Sequence, residues 1–257
     1  MDVVVRRRIQ LPRCIAGSWI IAALLVLEMN RIIQPELLDE LPVDDPRAMR
    51  SRRDLRRVNA WMRNHVIMVK ALQSIADGYM PKQIIDMGAG DGNLMLRVAR
   101  RISSRWPNVK VTLLDRQRNA ASQTLLSFAS LGWSAETVET DIFDWIPAAR
   151  DLDVVVANLF LHHFSDSRLA ELFRLIANRA RLFVAIEPRR APWPLLCCRL
   201  LWAIACNSVT RHDAAISVRA GFSGHELSAL WPGNSDWLIH EQRTGFFSHL
   251  FAARRQG

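Results

Sequence analysis

Cysteine is scarce in this chain and poorly placed for chemistry. Four cysteines occur in 257 residues: Cys197 and Cys198 are adjacent, whereas Cys14 and Cys206 stand alone. No C-x-x-C pair is present, so neither a zinc site nor a redox dithiol nor a disulfide framework is indicated. Glycine and proline number only 11 each and show no period, which excludes collagen-like and low-complexity chains. Reduced thiols favour a cytoplasmic protein.

The chain also lacks a hydrophobic run long enough to cross a bilayer. The longest, residues 14–27, has 14 residues and follows an arginine-rich stretch at 6–13. A spanning helix needs about 20 apolar residues. The length fits the core of a signal peptide, but no small-residue cleavage site follows. Three interpretations stay open for 1–28: a weak membrane anchor, a helix packed on the body, or sequence upstream of a start at Met29. The last two are favoured.

Acidic residues are too few to balance the basic ones, which leaves a net charge of +9 from 34 Lys and Arg against 25 Asp and Glu. Six arginines cluster within residues 50–63. Such a balance suits nucleic acid or an anionic membrane. No aromatic-studded strand or base-reading motif accompanies the arginines, so a solvated helix face is the preferred interpretation. Nucleic acid is an unlikely partner, and an RNA-modifying enzyme is kept as an alternative.

The sequence predicts a helical segment over residues 29–80, before the first strand, and we call this segment the lead-in. Asp45 and Pro46 supply a helix cap and a proline at the first helical position, and helical spacing of apolar residues continues to about Ala76. After Pro81 the pattern changes to short apolar runs that alternate with amphipathic helices. Strands are expected at 83–87, 109–115, 135–140, 152–158 and 181–187, with helices at 93–105, 118–131 and 166–178.

This alternation predicts an α/β doubly wound, Rossmann-like, mostly parallel sheet in residues 81–257. Two final strands, at 236–244 and 246–255, are linked by Gly245 and bring the expected total to seven, with an antiparallel last strand. Between the fifth strand and this pair, about 190–232, we expect an apolar helical insertion. Its stretch 192–206 is apolar nearly all round and is expected to form a cover. One interpretation is that Trp193, Trp202 and the leucines around them roof a pocket for an apolar ligand; burial of most of these side chains against the body is favoured.

The strongest chemical signal is the glycine-rich turn IIDMGAGDGNL at 84–94. A buried strand ends there, and a helix starts near Asn93. Glycines at 88, 90 and 92 permit positive φ and close approach of a ligand to the backbone. The spacing is G-x-G-x-G and not the G-x-G-x-x-G of dinucleotide folds. Asp86, two positions before Gly88, would repel a pyrophosphate but suits a ligand with an ammonium group.

Two further acids follow at strand ends. Asp115 ends the second strand and can accept hydrogen bonds from ribose hydroxyls; its alternative role is to cap the helix expected near Arg118. The third strand leads into Asp141 and Ile142, which offer a carboxylate for an exocyclic amine and an apolar wall for a ring. The alternative for Asp141 is an ordinary loop aspartate.

These motifs together resemble the class I S-adenosylmethionine-dependent methyltransferases. DMGAGDG at 86–92 looks like their first motif, LLD at 113–115 their second-strand acid, ETDIFDW at 139–145 their adenine-side motif, and DVVVANLFLHHF at 153–164 their fourth-strand motif. The likeness covers about residues 81–190. The lead-in and RHDAAISVRAGF at 211–222 resemble, within that class, the methyltransferases that accompany type III polyketide synthases.

The resemblance implies S-adenosylmethionine as cofactor and assigns residues to it. The turn would face the methionine part, the second-strand acid the ribose, the third motif the adenine, and the end of the fourth strand the sulfonium. The expected cofactor-binding residues are Asp86, Gly88, Ala89, Gly90, Asp115, Arg116, Asp141, Ile142, Asn158 and Leu159.

The acceptor is expected to be a small, aromatic or polyketide-like molecule, with O-methylation favoured and C-methylation next. Asn158 is not followed by the Pro-Pro-Tyr or Pro-Pro-Phe of members that methylate base amino groups. A phenol gains from a base that removes its proton, and histidine suits this role near neutral pH. His162 is the first candidate to orient or deprotonate the acceptor, and His212 with Asp213 is the second.

Several expectations concern partners. No His, Asp or Glu cluster at metal-ligand spacing is visible, so no metal is expected. A module that holds the cofactor without catalysis is the alternative outside the enzymes. Localisation is expected to be cytoplasmic, with peripheral membrane contact through 14–27 or 192–206 as an option, and the sequence leaves the oligomeric state open.

Overall fold

The structure, a computed structural model, describes residues 29–42, 44–76, 78–117, 120–233 and 235–256. The apolar run 14–27 and Cys14 therefore lie outside the described residues. No helix in the described ranges is both long and apolar enough to cross a membrane.

Ten α-helices and two 3₁₀ segments occur in the described ranges. The α-helices are α1 Leu37–Glu40, α2 Pro46–Met62, α3 Asn64–Ala76, α4 Asn93–Ile102, α5 Ser122–Ala129, α6 Ile142–Ala148, α7 Asp166–Arg179, α8 Pro192–Cys198, α9 Ser208–Ala220 and α10 Glu226–Leu230. The 3₁₀ segments are Leu161–His163, which follows the fourth strand, and Arg199–Ile204, which continues α8.

One sheet of seven strands forms the centre of the molecule. The strands are β1 Gln83–Met87, β2 Lys110–Asp115, β3 Ser134–Glu139, β4 Leu152–Asn158, β5 Ala180–Pro188, β6 Trp237–Thr244 and β7 Ser248–Arg255. Their order is β3-β2-β1-β4-β5-β7-β6. The first five run parallel, and β7 is antiparallel to both β5 and β6. The doubly wound fold with a reversed last strand is confirmed.

The sheet is buried because its central strands are apolar on both faces. Residues 154–157 of β4 and residues 182–186 of β5 are buried without alternation, as expected of parallel strands covered on both sides. One core layer packs α3 and α4 on the sheet, and the other packs α7 and a cluster of aromatic rings that includes Phe173 and Trp231. The chain order reverses between β1 and β4, and the carboxyl ends of these strands flank a crevice where doubly wound folds bind ligands.

The helices differ from the sequence predictions at identifiable points. The predicted helix 46–76 is broken at Arg63, whose φ of 58° ends α2 before α3 begins. The predicted helix 118–131 shortens to α5, Ser122–Ala129. Residues 211–213 lie inside α9, within the helical insertion expected at about 190–232. The expected burial of 192–206 is wrong, since Arg199–Ile204 has no buried residue.

Candidate active site

The glycine turn is fastened to the neighbouring strand by its own backbone. The N–H groups of Gly88 and Ala89 both donate to the carbonyl of Leu114, at 2.9 and 3.1 Å, and the N–H of Gly90 donates to Oδ2 of Asp115 at 2.9 Å. The glycines at 88, 90 and 92 have φ of 66°, 55° and 71°, which side chains rarely adopt. The turn therefore holds a fixed shape at the carboxyl edge of β1 and β2.

Asp86, at the base of this turn, is a buried carboxyl group that lacks a full set of partners. Only 2% of the residue is exposed, and no described residue forms a hydrogen bond with its Oδ2 atom. Burial, with the nearby carboxylates of Asp115 and Asp91, raises its pKa to about 8. A buried acceptor without a donor costs free energy, and an ammonium group of a ligand would supply one. The residue fits the methionine end of the expected cofactor.

Asp115 and Asp141 stand at the ends of the next two strands. In Asp115, Oδ1 accepts the N–H of Gln117 and Oδ2 that of Gly90, both at 2.9 Å. Each oxygen keeps a further lone pair for a ribose hydroxyl. Asp115 does not cap a helix, because α5 begins only at Ser122. Asp141 does cap α6, through the N–H of Phe143 at 2.9 Å.

The neighbours of these acids occupy different environments. Arg116 is exposed beside Asp115, whereas Ile142 is buried at the start of α6. The carbonyl of Asp115 also accepts the N–H of Thr140 at 3.1 Å, which holds the β2 and β3 ends together. The sequence-predicted ribose and adenine residues thus lie along one edge of the sheet.

The end of β4 carries a strained backbone and a polar chain of contacts. Leu159 has a φ of 54°, unusual for a residue with a bulky side chain, and its N–H donates to the Ile186 carbonyl at 2.8 Å. The Asn158 amide oxygen accepts a hydrogen bond from Asn64 at 2.9 Å, and Asn64 in turn accepts one from Ser248. Such strain is typical of functional sites, and here it marks the strand end beside the glycine turn.

Aromatic rings line the side of this edge that follows β4. The ring of Phe160 packs on the glycine turn so closely that a Cβ added to Gly88 would lie 2.3 Å from its Cδ2 atom. Phe164 contacts Phe160 and Phe143 edge to face, with ring centroids 5.0 and 5.6 Å apart. These contacts provide an apolar wall next to the expected position of the transferable methyl group.

His162 is buried between two carboxylates. Its Nδ1 atom lies 2.8 Å from Oε2 of Glu187, and its Nε2 atom 3.5 Å from Oε1 of Glu36. Burial by itself would lower the histidine pKa, but the hydrogen bonds to the two carboxylates outweigh it and raise the pKa to about 9. At neutral pH the ring is therefore an imidazolium without a free lone pair. Of the two roles expected for His162, this geometry favours orientation over proton removal.

Glu187, at the end of β5, is buried and holds the loop that follows β4 in place. Its Oε1 atom accepts the N–H groups of Phe160 and Leu161 at 3.0 and 2.9 Å, and Oε2 accepts that of His162 at 3.3 Å. One carboxylate thus holds three consecutive backbone groups and the imidazolium. Glu187 therefore pairs with His162 and not with either of the two arginines that follow it closely in the sequence.

The lead-in passes over the sheet edge next to the turn that follows β4. Arg31 donates to the carbonyls of Ala220 and Phe164, both at 2.8 Å, and pairs with Asp166 at 2.5 Å. Glu36 accepts from Ser217 as well as facing His162. The lead-in is therefore held to the turn after β4 and to α9, and it brings its acidic residues to the site.

Asp39 and His163 form a second titratable pair nearby. Their Oδ2 and Nδ1 atoms are 3.8 Å apart, and both side chains are partly exposed, at 64% and 30%. Burial and then the adjacent imidazolium of His162 lower the His163 pKa to about 4, and burial followed by repulsion from Glu36 raises the Asp39 pKa to about 6. Sequence reasoning missed both acids of the lead-in; the only signal was the acidic stretch at 36–45.

His212 and Asp213 lie on α9, where it meets the lead-in. The carboxylate of Asp213 is buried and accepts the N–H groups of Leu37 and Leu38, at 2.9 and 3.0 Å, so it caps α1. His212 lies 3.1 Å from it, with half of its side chain exposed. Asp213 thus anchors the lead-in to α9. A catalytic role for either residue stays a prediction.

The fold also assembles a group that the sequence spacing did not reveal. Glu36, His162 and His163 each offer a ligand atom, and these atoms lie within 4.8 Å of one another. Such a group is able to hold a metal ion, although Glu187 and Glu36 already engage both nitrogens of His162. The expectation that no metal is used stays a prediction.

Comparison with known proteins places the central sheet in a family. Residues 84–181 match the family model described as a methyltransferase domain. An uncharacterised methyltransferase of Mycobacterium tuberculosis is 31% identical over 166 residues, which cover 58% of this chain and 78% of that protein. The phenazine O-methyltransferase of Lysobacter antibioticus is 35% identical over 94 residues, 36% of this chain and 26% of that protein.

A solved structure supports the fold independently of sequence. The plantazolicin methyltransferase BamL, in complex with a triazolic analog and SAH, superposes with a TM-score of 0.59 and 14% identity, and the alignment covers 84% of this chain and 93% of BamL. At that identity the likeness concerns architecture alone.

Proposed function

The chain belongs to the class I S-adenosylmethionine-dependent methyltransferases, and we propose that it methylates a small, aromatic or polyketide-like acceptor, with oxygen favoured over carbon as the acceptor atom. When bound, the cofactor supplies a methyl carbon that its sulfonium has already activated. The protein's own task is to hold the cofactor, orient the acceptor and accept a proton.

The observation that carries the cofactor side of the proposal is the buried Oδ2 atom of Asp86, which has no hydrogen-bond partner among the described residues. We assign Asp86 to the cofactor's ammonium group and the free lone pairs of Asp115 to its ribose. Asp141 and Ile142 would flank the adenine, and Asn158 would lie next to the sulfonium. Since Asp86 gains a cationic partner on binding, its pKa should fall from about 8 and its proton should leave.

The acceptor side combines an aromatic wall with titratable groups. Phe160 and Phe164 offer ring faces and edges against which a flat acceptor packs. Asp39, with a pKa of about 6, is ionised at neutral pH and is better matched to accept a phenol proton than the protonated His162. We therefore assign removal of the acceptor's proton to Asp39, relayed through or assisted by His163. His162 positions the loop that follows β4. The phenazine O-methyltransferase relationship supports an aromatic acceptor and an oxygen atom.

A transfer assay tests the proposal. Tritium from labelled cofactor is followed into a panel of phenols, quinols and RNA. We expect label in phenols, and Asp39→Asn should lower kcat by roughly 10²-fold or more while cofactor affinity stays constant. Asp144→Asn, on α6, is the matched control. Label in RNA alone would replace this proposal with RNA modification, and cofactor binding without transfer to any acceptor would favour a non-catalytic module.

A further inference from the structure

An exposed apolar surface stands on α8 and the 3₁₀ segment that continues it. We define the apolar surface by its five large side chains, which are 47–65% exposed: Trp193, Leu196, Leu200, Trp202 and Ile204. Single exposed apolar residues are ordinary, but five within residues 192–204 are not. Two of them are tryptophans, the side chain that concentrates at the boundary between lipid and water.

A basic cavity adjoins the apolar surface. It has a volume of about 260 Å³ and lies between α8 and α9, where Arg199, Arg211 and Arg219 line it together with Leu195 and other small or apolar residues. Within the described ranges, no carboxylate forms an ion pair with any of these three arginines. Three guanidinium groups without a carboxylate partner, beside an apolar wall, match a ligand with a phosphate at one end and hydrocarbon at the other.

Met29, the first described residue, is held close to the start of α8. Arg190 donates from Nε to the carbonyl of Met29 at 2.5 Å, and Arg190 lies just before α8 begins at Pro192. The 28 residues before Met29 contain the arginine-rich stretch 6–13 and the apolar run 14–27. This basic and apolar sequence is therefore covalently joined to a residue that is held close to the start of α8. Stable attachment to a bilayer generally takes two such signals together.

We propose that the apolar surface docks on an anionic lipid bilayer and that the basic cavity receives the phosphate of a phospholipid headgroup. Trp193 and Trp202 enter the headgroup layer, and the leucines between them reach the upper acyl chains. Arg199, Arg211 and Arg219 add attraction to negative lipid, in keeping with the net charge of +9. This inference is independent of the acceptor and goes beyond the proposed methyl transfer.

Sedimentation of the full chain with lipid vesicles tests the inference. The vesicles contain phosphatidylcholine alone or phosphatidylcholine with phosphatidylglycerol. Binding is expected only with phosphatidylglycerol and should weaken with salt, because exposed charges are screened. The double change Arg199→Gln and Arg219→Gln should lower the partition coefficient roughly 30-fold, since each arginine near the surface contributes roughly a five- to sixfold change. Arg100→Gln, at an exposed arginine on α4, should change nothing.

A second set of variants tests the contribution of the apolar surface to vesicle binding. The double change Leu200→Gln and Trp202→Gln should abolish vesicle binding. Leu126→Gln on α5 should not, although this leucine is 63% exposed against 57% for Leu200. Circular dichroism and cofactor affinity check that each variant is folded.

Three results would overturn the inference. One is equal binding to both vesicle types by the unchanged protein. Another is binding that survives both double changes but disappears when residues 1–28 are deleted. A third is a double variant that leaves vesicle binding intact and converts a dimer into a monomer, because the apolar surface would then be an interface between two copies of the chain.

Discussion

Replacing His162 by glutamine should remove a defined pH dependence from the stability of the protein. The imidazole is fully buried, with Nδ1 at 2.8 Å from Glu187 and Nε2 at 3.5 Å from Glu36. Its pKa is about 9 in the folded chain and 6.5 as an ordinary histidine. The folded state therefore binds the proton more tightly than the unfolded state does, and protonation stabilises the fold.

The magnitude follows from the two pKa values. Their difference corresponds to a stabilisation on the order of 3 kcal/mol. This contribution is complete below about pH 6.5, declines as the pH rises through the window from 6.5 to 9, and is absent above it. Asp86 also takes up a proton on folding, but it does so in the unchanged protein and the variant alike, so it cancels in their difference.

The measurement is urea unfolding at several pH values from 6 to 10. The free energy of unfolding of the unchanged protein minus that of His162→Gln should fall by about 3 kcal/mol across this range. His240→Gln, at an exposed histidine on β6, should give a flat difference. Parallel curves for the unchanged protein and His162→Gln would mean that His162 is neutral when folded, and the assignment of its two carboxylate partners would be refuted.

Three other changes probe the cofactor side and the N-terminus. Asp115→Ala should weaken binding of S-adenosylmethionine by roughly 1.5–3 kcal/mol for each charged hydrogen bond lost, and unchanged affinity in calorimetry would reject its ribose assignment. Gly88→Ala should destabilise the protein by more than about 1 kcal/mol and reduce cofactor affinity, because the added Cβ meets Phe160 at 2.3 Å and the φ is positive; Gly233→Ala, with open space and no positive φ, should be near neutral in the same melts. Deleting 1–28 should leave cofactor binding intact, and a truncated chain that precipitates or loses the cofactor would show that the segment packs on the body.

The fold could be predicted from the sequence because its signals are local. The apolar runs of β4 and β5, the glycine turn and the acid at the end of β2 each lie within a few adjacent residues, and their order along the chain determines the parallel arrangement. The position of Asp86 before the turn favoured an ammonium-bearing ligand over a pyrophosphate, and the contact of Asp86 with the cofactor stays a prediction.

The acceptor side could not be predicted in the same way because its partners are distant in the chain. Glu36 and Asp39 reach His162 and His163 only because the lead-in crosses the sheet edge, and no pattern within the lead-in specifies that crossing. The sequence also did not indicate which side chains of 192–206 are buried and which are exposed. A segment that is apolar all round carries no periodicity to indicate which face is buried, and the expectation of burial was therefore wrong.

The position of β7 determines when the molecule can be completed during synthesis. It lies between β5 and β6, although it is the last strand in the chain, and the lead-in is held by residues up to 220. A ribosome that has just finished β5 at Pro188 needs about 3–13 s to reach Arg255, at synthesis rates of roughly 5–20 residues per second. Throughout that interval the edge of β5 that later pairs with β7 has no neighbouring strand. An unpaired apolar strand edge is a template for aggregation. The nascent chain should therefore depend most on chaperones after its central strands have formed and before its last eight-residue strand emerges.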